Sequence, residues 1–128
     1  MALPRVEPVD AFDLPEWLGS GEVVWIARSS VRDSYLVRGE LTGVGDPLAC
    51  DLLAADRAFP EPVLDERWRR TAHQSWTHEQ VLLTEYDARL TLAVPGTVFT
   101  ADLVLQALGR LARALGVSPE SLAATLRL

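Results

Sequence analysis

The sequence predicts an α+β fold: an antiparallel sheet with helices packed on it, in the element order α-βββ-α-ββ-α, followed by a short C-terminal helix. Three observations carry this. Strand-like runs fall into two groups, residues 22–56 and 81–94, joined internally by turns rather than by helices. A helical stretch with its own start signal follows each group. The 128 residues are the length of one domain, and 48% apolar with 23% charged residues is an ordinary globular balance.

Residues 1–9 read as an irregular arm, interrupted by Pro4 and Pro8. Asp13 caps a short helix through Leu18, with Phe12, Trp17 and Leu18 as its apolar contacts and Gly19 as its stop. Residues 22–29 contain Val23-Val24-Trp25-Ile26-Ala27, apolar on both faces as in a central strand. Residues 34–41 alternate, with Tyr35, Val37 and Leu41 on one face and Arg38 and Glu40 on the other. Gly43 to Pro47 is a loop. Residues 48–56 satisfy both periodicities; a short loop after a strand favours a returning strand, so a three-stranded meander is predicted. Phe59-Pro60-Glu61-Pro62 ends it.

Asp65 caps the next helix, which runs to about Thr77 with Trp68, Ala72 and Trp76 as an inward stripe and Glu66 placed to pair with Arg69 or Arg70. Residues 81–86 and 89–94 form a hairpin across Asp87-Ala88. The strongest helix then starts at Thr97 or Thr100. Its inner face is Leu103, Val104, Ala107, Leu108, Leu111 and Leu115; its polar strip is Asp102, Gln106, Arg110 and Arg113. Gly116 stops it. Ser118-Pro119 opens the short helix expected over residues 117–128, with Val117 and Leu122 spaced as a hydrophobic staple. The predicted core includes Trp25, Trp68, Leu92, Leu103, Leu108 and Leu111.

Composition narrows the function classes. All twelve basic residues are arginine, against eighteen acids, for a net charge of −6. The imbalance lies in residues 1–63, where eleven acids face five arginines; residues 64–128 hold seven of each. A negative field repels phosphate backbones, so nucleic-acid binding is disfavoured and basic partners are favoured. No apolar run approaches the ~20 residues of a membrane span, and residues 1–10 lack the features of a signal peptide. A single cysteine, Cys50, permits no internal disulfide. A cytoplasmic protein without membrane attachment is expected.

Candidate chemistry is sparse. His73 and His78 are the only histidines. Five helical residues turn ~140°, which points the two apart and disfavours a metal pair. Cys50 lies in an apolar run and reads as a small buried hydrophobe rather than a nucleophile served by His73. No spacing separates a general acid from a general base, so no catalytic, cofactor-binding or metal-ligating residue is assigned. The strongest candidate for ligand or partner contact is the patch of Arg67, Arg69, Arg70 and His73, with Trp76 beside it; its competing reading is a solvated helix face with Glu66 as internal partner.

The order α-βββ-α-ββ-α over residues 13–115 resembles that of type III secretion chaperones and their YbjN-like relatives, small acidic proteins, often homodimeric, that bind an extended protein segment. The arginine-only, alanine-rich style is also similar to a small actinobacterial family of unknown function. The resemblance implies a non-enzymatic protein- or peptide-binding module acting as a homodimer; the negative charge adds the expectation of a basic partner. Two other readings compete with it. One is a small-molecule or catalytic domain with a site near Arg69, His73, Trp76 and Tyr86. The other is a transcriptional regulator using residues 110–126, whose Leu-Gly-Val-Ser-Pro-Glu texture is similar to a helix-turn-helix. An enzyme requires a pocket with convergent polar groups; a binding module requires an exposed apolar patch or a free sheet edge.

Overall fold

The computed structural model describes residues 6–31, 35–59 and 65–127. Its strands are β1 (Glu7–Pro8), β2 (Val23–Ala27), β3 (Leu36–Val37), β4 (Gly39–Thr42), β5 (Leu48–Ala54), β6 (Leu82–Tyr86), β7 (Arg89–Val94) and β8 (Leu122–Thr125). Its helices are α1 (Glu66–Thr77) and α2 (Ala101–Ala114). All the strands join one sheet in the order β1-β6-β7-β5-β4-β2-β8, with β3 paired to β5. The α+β class stands; the antiparallel sheet is corrected to a mixed one. β5 and β7 are parallel, as are β2 and β8, while the remaining pairs are antiparallel. The cause is connectivity: parallel neighbours need a crossover, and α1 and α2 each return the chain to the sheet.

Both α-helices start where their caps dictate. The Asp65 carboxylate accepts from Trp68 N at 2.7 Å, and the Thr100 hydroxyl accepts from Leu103 N at 3.1 Å. The two helices lie on opposite faces of the sheet, as the alternation along β7 shows. Leu90, Leu92 and Val94 join Val104, Ala107, Leu108 and Leu111 of α2 in the main core. Between them on the strand, Ala93 turns the other way and meets Ala72 of α1 and Ala55. Trp25, Leu92, Leu108 and Leu111 are buried as expected, but Trp68 and Leu103 are only half-buried, each on the flank of its helix.

Residues 48–54 form the strand that completes the meander. Three local expectations are corrected. The first helix is two 3-10 turns, Ala11–Asp13 and Glu16–Gly19. Pro15 lies between them, with no N–H to give and with its ring biasing the residue before it away from helix. Asp10, not Asp13, provides the cap, accepting from Phe12 N at 3.0 Å, and Phe12 is 97% exposed rather than a core contact. Part of the N-terminal arm is ordered as β1, which pairs with Thr84 and Glu85; the expectation for residues 1–5 lies outside the described residues.

The third correction is at the C-terminus. Ser118-Pro119 opens a single 3-10 turn, Pro119–Ser121, and the chain then extends as β8 alongside β2. Local signals favour a helix there. The backbone groups on the outer side of buried β2 need partners, and β8 supplies them. The second helix of a helix-turn-helix is therefore not formed.

Candidate functional site

The predicted patch lies on the outer face of α1. Glu66, Arg70, His73 and Thr77 recur at helical spacing and so share that face. Arg69, Arg70 and His73 are brought together with Asp56 around a cavity of about 430 Å³. Each is already engaged. His73 Nε2 lies 2.8 Å from Asp56 Oδ1, and Asp56 Oδ2 accepts from Gly96 N at 3.2 Å. Arg70 pairs with Glu66 at 3.2 Å, and the Arg69 guanidinium sits 4.8 Å over the Phe59 ring. Two carboxylates thus offset the two guanidinium groups.

The rest of the predicted set lies elsewhere. Arg67 is exposed and does not line this cavity. Trp76 points toward α2, where Arg110 covers its ring. Tyr86 ends β6 at the opposite end from Leu82, on which α1 packs, and its electrostatic neighbours are Asp87, Tyr35 and Arg38. Burial and the Asp87 charge push its phenol pKa up. Arg69, His73, Trp76 and Tyr86 therefore do not form one site. Cys50 and His73 do not meet either: Cys50 is in the main core on the α2 face, where burial pushes its thiol pKa up, away from the reactive thiolate.

The most heavily bonded polar group belongs to Asp51, which sequence reading did not single out. Its side chain is 0% exposed. One carboxylate oxygen, Oδ2, accepts from Arg38 Nη1 at 2.9 Å and Arg89 Nε at 2.7 Å; the other, Oδ1, accepts from Arg89 Nη2 at 2.9 Å and Gly39 N at 3.1 Å. Arg38 also reaches Asp87 at 3.0 Å. With every acceptor direction used, this cluster is a structural staple.

A second cavity, of about 550 Å³, lies where β1 and β6 meet the C-terminal ends of both helices. Val9, Val81 and Leu83 line it, with Asp10, Glu79 and Arg110 as polar members. Arg110 belongs to the expected polar strip of α2, yet it is only 8% exposed. Its guanidinium carbon lies 3.5 Å from the Trp76 ring centroid, and Nη1 donates to Trp76 O at the end of α1. Burial lowers its pKa; the nearby Glu79 charge opposes that and Arg113 adds to it.

Glu79 has a strained backbone. Gln80 N donates to Ser75 O at 2.8 Å and Glu79 N to Trp76 O at 3.0 Å, the two bonds of a Schellman C-cap. The left-handed position of that motif, usually glycine, is Glu79 with φ 60. Its carboxylate pairs with Arg113 at 3.2 Å, a bond exposed enough to add little. Glu79→Gly is therefore expected to raise unfolding free energy by about 0.5–1 kcal/mol, checked by urea melts against the native chain. A fall in stability would mean that the ion pair outweighs the strain.

The two sheet edges differ in chemistry. One ends on β1, two residues long and carrying Glu7 and Pro8. The other ends on β8, Leu122-Ala123-Ala124-Thr125, with neither charge nor proline. Among the described residues no strand pairs with its outer side. Ala123 and Thr125 are exposed; Leu122 and Ala124 are half-buried against the core. Among the described residues no helix is long and apolar enough to cross a membrane. No protein-family model, curated protein or solved structure matches the chain.

Proposed function

We propose that this chain is a non-enzymatic protein-binding module that takes an extended, basic peptide segment along the outer edge of β8. The carrying observation is the asymmetry of the edges: β1 is short and protected by a proline and an acid, whereas β8 has none of the devices that keep edge strands from pairing. Strand addition supplies affinity through backbone hydrogen bonds and specificity through alternate side chains. A segment added here sets one row of its side chains beside Leu122 and Ala124 and the other beside Ala123 and Thr125. The net charge of −6 favours a basic segment and speeds its encounter. The element order underlying the resemblance to secretion chaperones is present apart from the 3-10 start, the division of the second strand into β3 and β4, and the added β1 and β8, and it supports the same reading.

Peptides alternating apolar and basic residues provide the test. Amide exchange at residues 122–126 is expected to slow when such a peptide is bound. Fluorescence anisotropy is expected to show the binding lost in Ala123→Lys, whose exposed position leaves the fold intact while the new charge blocks the edge. A β8 edge protected without peptide in a dimer, and freed when Ala123→Lys makes the chain monomeric, would assign the edge to a second copy instead. No protection of β8 by any peptide in a monomeric chain would sink the proposal.

A further inference from the structure

The cavity beside Arg110 lies at the opposite edge of the sheet from β8 and has chemistry of its own. Arg110 is more than nine-tenths buried and has no carboxylate bonded to it. Only Nη1 has a hydrogen-bond partner, the Trp76 carbonyl. No fully enclosed side-chain nitrogen or oxygen among the described residues lacks a partner, so Nε and Nη2, which have none, are not sealed from solvent, and Arg110 lines the cavity. A guanidinium held over an indole, partly desolvated and with donors to spare, is prepared for a planar oxyanion. The other cation at the rim, Arg113, is taken by Glu79.

We propose that this cavity binds a small organic monocarboxylate, its carboxylate on Arg110 and its apolar body against Val9, Val81 and Leu83. The walls set the class. Apolar side chains beside the arginine reward a hydrocarbon body, which inorganic phosphate lacks. Asp10 and Glu79 at the same cavity repel a dianion more than a monoanion. The lowered pKa of Arg110 agrees with a desolvated cation, which an incoming carboxylate would stabilise.

Benzoate is a suitable probe, with benzyl alcohol and inorganic phosphate as controls. In nitrogen-15 NMR titrations of the full chain, benzoate is expected to shift the Arg110 Nε–H, the Trp76 indole N–H and the Val81 and Leu83 amides saturably, with a dissociation constant of about 1 mM or tighter. Benzyl alcohol is expected to give no saturable shift, and phosphate to bind more weakly than benzoate. Arg110→Lys loses the planar fork and is expected to weaken benzoate about tenfold or more. Should that variant not fold, Glu79→Gln decides: it removes a competing carboxylate, frees Arg113 and is expected to tighten binding. Unshifted resonances at saturating benzoate, equal affinity in folded Arg110→Lys, weaker binding in Glu79→Gln, or phosphate binding more tightly than benzoate would each overturn the proposal.

Discussion

Asp51→Ala is expected to lower folding stability by about 3 kcal/mol, the lower end of the range for breaking a buried ion pair by removing one partner. The carboxylate is fully enclosed and accepts four hydrogen bonds, from Arg38, Arg89 and Gly39 N. Its loss leaves the N–H of buried Gly39 without a partner, at about 1–3 kcal/mol. The guanidinium groups suffer less, since Arg38 and Arg89 are each about a third exposed and regain water. That exposure places the expectation below the upper end. Urea denaturation reads the loss. Replacing the whole unit, Asp51→Leu with Arg38→Met and Arg89→Met, is expected to restore only part of the stability: apolar packing can substitute for the ion cluster, but the Gly39 N–H and carbonyl stay without their side-chain partners. A single Asp51→Ala loss below about 1 kcal/mol would show that the cluster contributes nothing net.

Much of the frame is legible in the sequence because its signals are local. Asp65 and Thr100 start their helices from their own side chains, and Asp87-Ala88 makes the β6–β7 turn with φ of 55 and 59, closing two cleanly alternating strands. Residues 48–56 satisfy two local periodicities, and the unpaired side of the preceding strand decides for the strand formed at Leu48–Ala54. β8 was illegible for the converse reason: Ser118-Pro119-Glu120 is a sound helix start, overridden by the backbone of β2, whose residues pair with β8 from 99 positions earlier in the chain.

The sites divide in the same way. Arg69, Arg70 and His73 share a helical face and are found together, as spacing implies. Asp56 joins them from the end of β5, which no spacing reveals. Arg110 looked like one member of a polar strip. The signal available was its position between Ala107 and Leu111 on a helix whose buried face also takes in Ala112, too wide for a strictly amphipathic reading. That the guanidinium would rest on Trp76 depends on how α1 and α2 meet around the sheet edge, which is tertiary information.

Trp25→Ala is expected to have the largest effect of any single substitution considered, about 4–5 kcal/mol, because it creates a cavity and also orphans a carbonyl. Trp25 is 0% exposed, and its Nε1 donates to Cys50 O at 2.9 Å. That bond exists because the β4–β5 ladder is open at this point. The pairs Leu36↔Leu53, Val37↔Leu52, Glu40↔Ala49 and Leu41↔Leu48 share one register, yet Gly39 and Cys50 between them turn to side chains. Gly39 N donates to Asp51, Gly39 O accepts from Arg89 Nη2 at 3.1 Å, and Cys50 O takes the indole. Glycine is required at residue 39 by contact: a Cβ there would lie 2.5 Å from the Trp25 ring. Gly39→Ala alone is accordingly expected to cost about 2–3 kcal/mol, as overpacking does when neither ring nor strand can yield. In the Trp25→Ala background the same methyl meets empty space and is expected to be nearly neutral, a coupling of about 2 kcal/mol in a double-mutant cycle read by urea melts. Additive losses would mean that Gly39 is needed for its backbone and not for the indole, and the account of the open ladder would fall.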